Sequence, residues 1–160
     1  MAHRSPSRVP LRTLAAGFEE SRARFNLVTR SAAPDDVFIA LLEVVAWAGA
    51  IREWLRCQSK AKNRTIAELE GFWFVRNRVV HDGAEGFLHT TRHGLGRYGK
   101  AAYGEGEGTW VWKRRAPLTK PKTKGMGNVG KEEYDSHLAR KPVSATLATI
   151  SAELAARVRP

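Results

Sequence analysis

Apolar positions recur at helical spacing in four stretches of the chain. From about Leu14 to Val28, Phe18, Phe25 and Val28 form one stripe among charged neighbours such as Arg22, which predicts a one-sided first helix. A second helix starts after Pro34, with Asp35 and Asp36 suited to the positive end of its dipole, and runs to about Cys57. Its middle carries Val37, Phe38, Leu41, Leu42, Val44, Val45, Trp47, Ala48, Ile51, Trp54 and Leu55, which leaves almost no polar face. Such a helix is expected to be covered on several sides, at the centre of a bundle or at a dimer interface. The third is predicted from Thr65 to His81. Thr65 and Glu68 make a capping box at its start, and Asp82-Gly83 supplies the stop. The last begins near Pro142, where proline fits the first turn, and Val143, Leu147, Ile150, Leu154 and Val158 follow on a single stripe.

Glycine separates the third helix from the last. Eleven of the 14 glycines lie between Gly83 and Gly130, so an irregular insertion is expected there. Within it, Tyr98–Tyr103 and Thr109–Arg115 are predicted to pair as a β-ribbon, with Trp110-Val111-Trp112 alternating on one strand. The bland alternative is a loop whose tryptophans pack onto the helices. The expected organisation is therefore a single domain over 1–160. It comprises a basic arm (1–12), helices 1–3 (14–82), the glycine-rich insertion (83–130) and a C-terminal helical part (131–158). The fold class is mainly α, a four-helix bundle with an inserted ribbon.

Charge narrows the partners. With 27 Lys+Arg against 16 Asp+Glu, the 160 residues carry a formal net charge of +11, which points to a polyanion, nucleic acid first. The cations cluster in the arm (Arg4, Arg8, Arg12), around the connection after helix 2 (Arg52, Arg56, Lys60, Lys62, Arg64), and in the acid-free run 113–131. Within that run, Lys113, Arg114, Arg115, Lys120, Lys122 and Lys124 are the expected nucleic-acid contacts, joined by Arg78 on helix 3. The single cysteine, Cys57, excludes an internal disulfide and a multi-cysteine zinc site. No apolar run has the length of a membrane span, and no secretory signal is visible, so no membrane association and a cytoplasmic location are expected.

The most informative stretch is Phe72-Trp73-Phe74-Val75-Arg76-Asn77-Arg78-Val79-Val80-His81-Asp82-Gly83. On a helix, Glu70, Phe74, Asn77 and His81 share one face, while Leu69, Phe72, Trp73 and Val80 mark an apolar, core-directed one. Arg76 lies between the two, within reach of the rim that carries Asn77 and His81. His81 falls in the last turn, where the carbonyl dipoles favour imidazolium. These three side chains suit cleavage of an RNA phosphodiester by its own 2′-hydroxyl. Histidine moves protons near neutral pH, arginine offers planar paired donors to a phosphate, and Asn77 can orient the histidine or donate to a phosphate oxygen. That chemistry needs no metal or cofactor.

At these residues the chain resembles the HEPN superfamily, small α-helical bundles whose ribonuclease members carry Arg, four to six residues, then His, often with Asn directly after the Arg. Arg76-Asn77-Arg78-Val79-Val80-His81 fits the four-residue form. The resemblance covers roughly residues 14–82 and 131–158 and leaves the glycine-rich insertion outside. It implies a metal-independent endoribonuclease of toxin–antitoxin, phage-defence or RNA-processing systems, with Arg76 and His81 catalytic and Asn77 auxiliary. It also implies a homodimer with a composite site, RNA as substrate and an antitoxin or other acidic protein as a further partner. The competing expectation is a non-catalytic nucleic-acid-binding or protein-interaction module. In that case Arg76 pairs with an acid such as Glu43 or Glu68, and His81 merely caps the helix.

Glu43 is the lone carboxylate in the apolar part of helix 2, and must be paired if buried. It either supports the site by orienting Arg76 or His81, or pairs structurally with another arginine at a local surface. Other motifs carry less. Gly125–Glu132 imitates two phosphate-loop patterns, but no apolar strand precedes it, and Glu132 stands where magnesium needs a hydroxyl. His89 and His93 lack a third ligand.

Overall fold

The computed structural model of the chain describes residues 9–31, 34–58, 66–82, 88–90, 109–114 and 129–158. It is mainly helical. Four long helices, α1 (Leu11–Ser31), α2 (Pro34–Gln58), α3 (Ala67–Asp82) and, later in the chain, α5 (Val143–Val158), are joined by a short α4 (Lys131–Glu133) that runs into a π-helical turn, Tyr134–Leu138. Helix α1 packs on α2 and α5, and α3 packs on α2, the π-turn and α5, so the long helices contact one another in a ring. One continuous core fills it, from Phe18 and Phe25 of α1 through Leu41, Val44 and Ile51 of α2 and Phe72 of α3 to Leu147 and Ile150 of α5.

The expected helices are present with similar bounds. On α5, Val143, Leu147, Ile150 and Leu154 are buried, as the stripe requires. Helix α2 is covered on several sides but not on all: Ile39 is 58% and Leu42 43% exposed, and Ala46 and Ala50 lie open beside them. One face of the helix is thus open among the described residues.

The expected ribbon exists with a different partner. Strand β2 (Trp110–Trp112) pairs antiparallel with β1 (Leu88–Thr90), in the register Leu88–Trp112, His89–Val111 and Thr90–Trp110. Tyr98–Tyr103 lies outside the described residues. The other edge of β2 is also bonded. Arg140 N–H donates to the Trp112 carbonyl, Trp112 N–H donates to the Lys141 carbonyl, and Val111 bridges Pro142. Alternation explains the burial, because residues 110 and 112 face the same way along a strand. Both tryptophans go into the core. Trp112 sets its ring edge-on to Phe72 and Tyr134 and donates its indole N–H to Thr146 Oγ1 at 2.9 Å.

Tyr134 ties the π-turn to this strand: its hydroxyl donates to the Lys113 carbonyl at 2.9 Å. Burial pushes its ionisation well above the usual phenol range, and the neighbouring Asp135 carboxylate pushes the same way. Above about pH 10 the unfolded phenol loses its proton while the folded one keeps it, so this contribution falls by about 1.4 kcal/mol per pH unit. Tyr134→Phe is therefore expected to be about 1 kcal/mol less stable at pH 7, through the lost hydrogen bond. The gap to wild type should narrow above pH 10, as read by urea unfolding across pH 7–11. A gap that stays constant to pH 11 contradicts this.

Gly130 begins α4 in the left-handed conformation, φ 84°. A Cβ there would overlap the carbonyl oxygen of Glu70 on α3. The last glycine of the phosphate-loop imitation is thus explained by close backbone approach. Gly125, Gly127 and His93 lie outside the described residues. Among the described residues no helix is long and apolar enough to cross a membrane.

Candidate functional site

Helix α3 carries Arg76, Asn77 and, in its last turn, His81. The side chain of His81 lies outside the described residues. What the structure supplies is the setting of Arg76. Three residues before it, Trp73 presents a half-buried ring, and the Arg76 guanidinium carbon stands 4.9 Å from the centroid of that ring. The stem of Arg76 passes over Gly49 of α2, where a Cβ would come within 2.8 Å of Cδ and 3.3 Å of Nε. Arg76 itself is exposed.

A second guanidinium approaches the same indole. Arg52 of α2 has its guanidinium carbon 4.4 Å from the Trp73 centroid. Its side chain is only 3% exposed, so its charge must be compensated locally. Nε and Nη2 both donate to Glu70 Oε2, at 2.9 and 2.7 Å, and Nη1 donates to Glu53 Oε1 at 2.6 Å. The same Glu53 oxygen lies 3.9 Å from Arg56. The two carboxylates of this cluster are therefore committed to Arg52 and Arg56. Arg76 has no carboxylate partner among the described residues. The result is a fixed, solvent-facing cation with its counter-charges withheld, suited to an external anion.

Neither acid considered for Arg76 reaches it. Glu43 pairs with Arg24 of α1 at 2.7 Å on the surface between α1 and α2, so it does not support Arg76. Glu68 lies 3.7 Å from His137 Nδ1 on the π-turn. Arg78 needs a second correction. It is 7% exposed, with its guanidinium 6.0 Å from the Phe74 ring, and that burial keeps it from holding an RNA backbone in this arrangement. Of the expected linker contacts, Arg114 is exposed and Lys113 partly so. Arg115, Lys120, Lys122 and Lys124 lie outside the described residues.

The faces of α3 also differ from expectation. Phe74 is buried against Tyr134, while Trp73, assigned to the core, sits at the rim. Asn77 remains partly exposed one turn beyond Trp73, so Trp73, Arg76 and Asn77 occupy one side of the helix. Sequence reasoning missed Trp73, Arg52 and Gly49 as parts of the site. A glycine in the middle of a helix otherwise costs about 1 kcal/mol, and at position 49 that was the available signal. Among the described residues no group of three or more His, Cys, Asp or Glu is placed to hold a metal. No family model matches the chain, and no curated protein or solved structure is found to be similar to it.

Proposed function

We propose that the protein is a metal-independent endoribonuclease of HEPN type. The observation that carries this reading is the exposed Arg76 guanidinium, seated on Trp73 while Glu53 and Glu70 are bound to Arg52. In the proposed reaction Arg76 donates to the two non-bridging oxygens of the scissile phosphate and stabilises the charge that builds as the phosphorus becomes pentacoordinate. His81 accepts the proton of the 2′-hydroxyl, whose oxygen attacks phosphorus. The 5′-oxygen of the next nucleotide leaves and is protonated. The products are a 2′,3′-cyclic phosphate and a 5′-hydroxyl end. Asn77 orients the imidazole or donates to the phosphate, and Arg114 lends charge along the bound strand.

A homodimer belongs to the same reading, and the open face of α2, with Ile39, Leu42 and Ala46, is a surface a second copy can cover. The test is end-labelled single-stranded RNA incubated with the purified protein in excess EDTA. Light scattering of the same sample gives the mass. Cleavage with cyclic-phosphate ends by a particle of two chains is the expected result. Intact RNA after prolonged incubation with folded protein overturns the reading.

A further inference from the structure

We propose that Trp73 and Gly49 are positioning residues, and that together they hold the Arg76 guanidinium in one place as a preorganised phosphate receptor. The proposal rests on Arg76 being the phosphate-facing group of the reading above, and it assigns that group's supports.

An exposed arginine ordinarily samples many rotamers, and ordering it on ligand binding is costly. Here one contact and one opening set its place before any ligand arrives. The indole face attracts the guanidinium electrostatically, at 4.9 Å from ring centroid to guanidinium carbon. The missing side chain at position 49 opens the path of the stem, since a Cβ would lie 2.8 Å from Cδ and 3.3 Å from Nε of Arg76. Trp73 is held in turn: Arg52, locked to Glu70 and Glu53, lies 4.4 Å from the same ring centroid. The cluster therefore runs from a buried ion pair through an aromatic plate to a solvent-facing cation, with exposure increasing outward. Arg52 is neutralised and serves as a support; Arg76 retains its charge for a ligand.

The geometry makes Gly49 the sharper probe. An alanine methyl there would meet a flexible side chain, with no backbone atom in the way. It also replaces glycine with the best helix former. Gly49→Ala should then melt no lower than wild type while Arg76 is displaced. A misplacement of this size at a reacting group costs roughly tenfold to hundredfold in rate. The loss is expected in kcat at saturating RNA, with KM within about twofold, because the displaced group acts on the transition state more than on bound RNA. Trp73→Leu should show the same split. Trp73→Phe, which keeps a ring face, should recover activity to within about threefold of wild type.

The experiment pairs these kinetics with a probe that needs no cleavage. The side-chain Nε–H resonance of Arg76, assigned by its disappearance in Arg76→Lys, should be ring-shifted in wild type and in Trp73→Phe, and unshifted in Trp73→Leu. A 2′-deoxy oligonucleotide, which lacks the attacking hydroxyl, should move this resonance in wild type and move it much less in Gly49→Ala. If wild type binds the oligonucleotide in this way but cleaves no RNA, the ribonuclease reading fails and the receptor stands. If Gly49→Ala matches wild type in rate and in oligonucleotide response, or if Trp73→Leu keeps the ring-shifted resonance, the proposal is overturned.

Discussion

Arg76→Ala is expected to slow RNA cleavage about 10²–10³-fold, the usual cost of removing one fixed donor to a developing oxyanion, while stability changes by less than about 1 kcal/mol. Both halves follow from the surroundings of the residue. Its guanidinium meets solvent and the Trp73 ring, and no described carboxylate depends on it, so truncation strands no buried charge. Arg52 on the same ring behaves in the opposite way. Removing it would leave Glu70, whose side chain is 16% exposed, without its partner, so lost activity in that variant would not separate folding from chemistry. Initial rates on a single-stranded RNA, with thermal melts of the same preparations, check the prediction. A large loss of stability in Arg76→Ala would show that the residue is structural. Unchanged cleavage would remove it from the reaction.

Trp112→Ala is expected to destabilise the fold by about 4–5 kcal/mol, near the upper end for loss of a large aromatic from a core. Three contributions combine. The ring is fully buried. It makes edge-on contacts with Phe72 at 5.2 Å and Tyr134 at 6.3 Å, which add to burial alone. Its indole N–H donates to Thr146 Oγ1, which is itself buried and donates in turn to the Val143 carbonyl, so truncation also removes one buried hydrogen bond, worth about 1 kcal/mol. For a domain of this size the loss corresponds to roughly 10–15 °C in melting temperature. Urea or thermal unfolding monitored by circular dichroism measures it. A shift of only a few degrees would mean that the strand does not join α3 to α5 as described. Trp110 is a poor substitute for this test, because it lies at the edge of the core, against Phe38.

Those elements whose signals are local could be read from the sequence. The single stripe of α5 and the acidic first turn of α2 each depend on a few adjacent residues, and each sits where expected. The rotation of α3 was not readable in this way. Phe72, Trp73 and Phe74 are consecutive and together span about 200° around the axis, so almost any rotation turns an aromatic inward. The neighbouring helices decide which one. Gly71 lets the π-turn approach closely, which draws Phe74 in and leaves Trp73 at the rim. Glu43 illustrates a second limit. Helical spacing places it on a face of α2 but does not say whether α1 or α3 covers that face, and α1 answers with Arg24. The partner of β2 is not legible for a related reason. Any short extended segment can pair with Trp110–Trp112, and among the described residues Leu88–Thr90 does so.

The pairing of Thr90 with Trp110 has a consequence for how the chain tolerates change. Partners in a ladder stand about 5 Å apart, so the chain between them departs from and returns to nearly one point on the frame. The entropy of closing such a loop varies only with the logarithm of its length, and halving it alters the cost by about 0.6 kcal/mol. The bundle is thus thermodynamically almost indifferent to how much chain is spliced in at that point. A glycine-rich segment can grow, shrink or be exchanged there while the helix that carries Arg76 keeps its place.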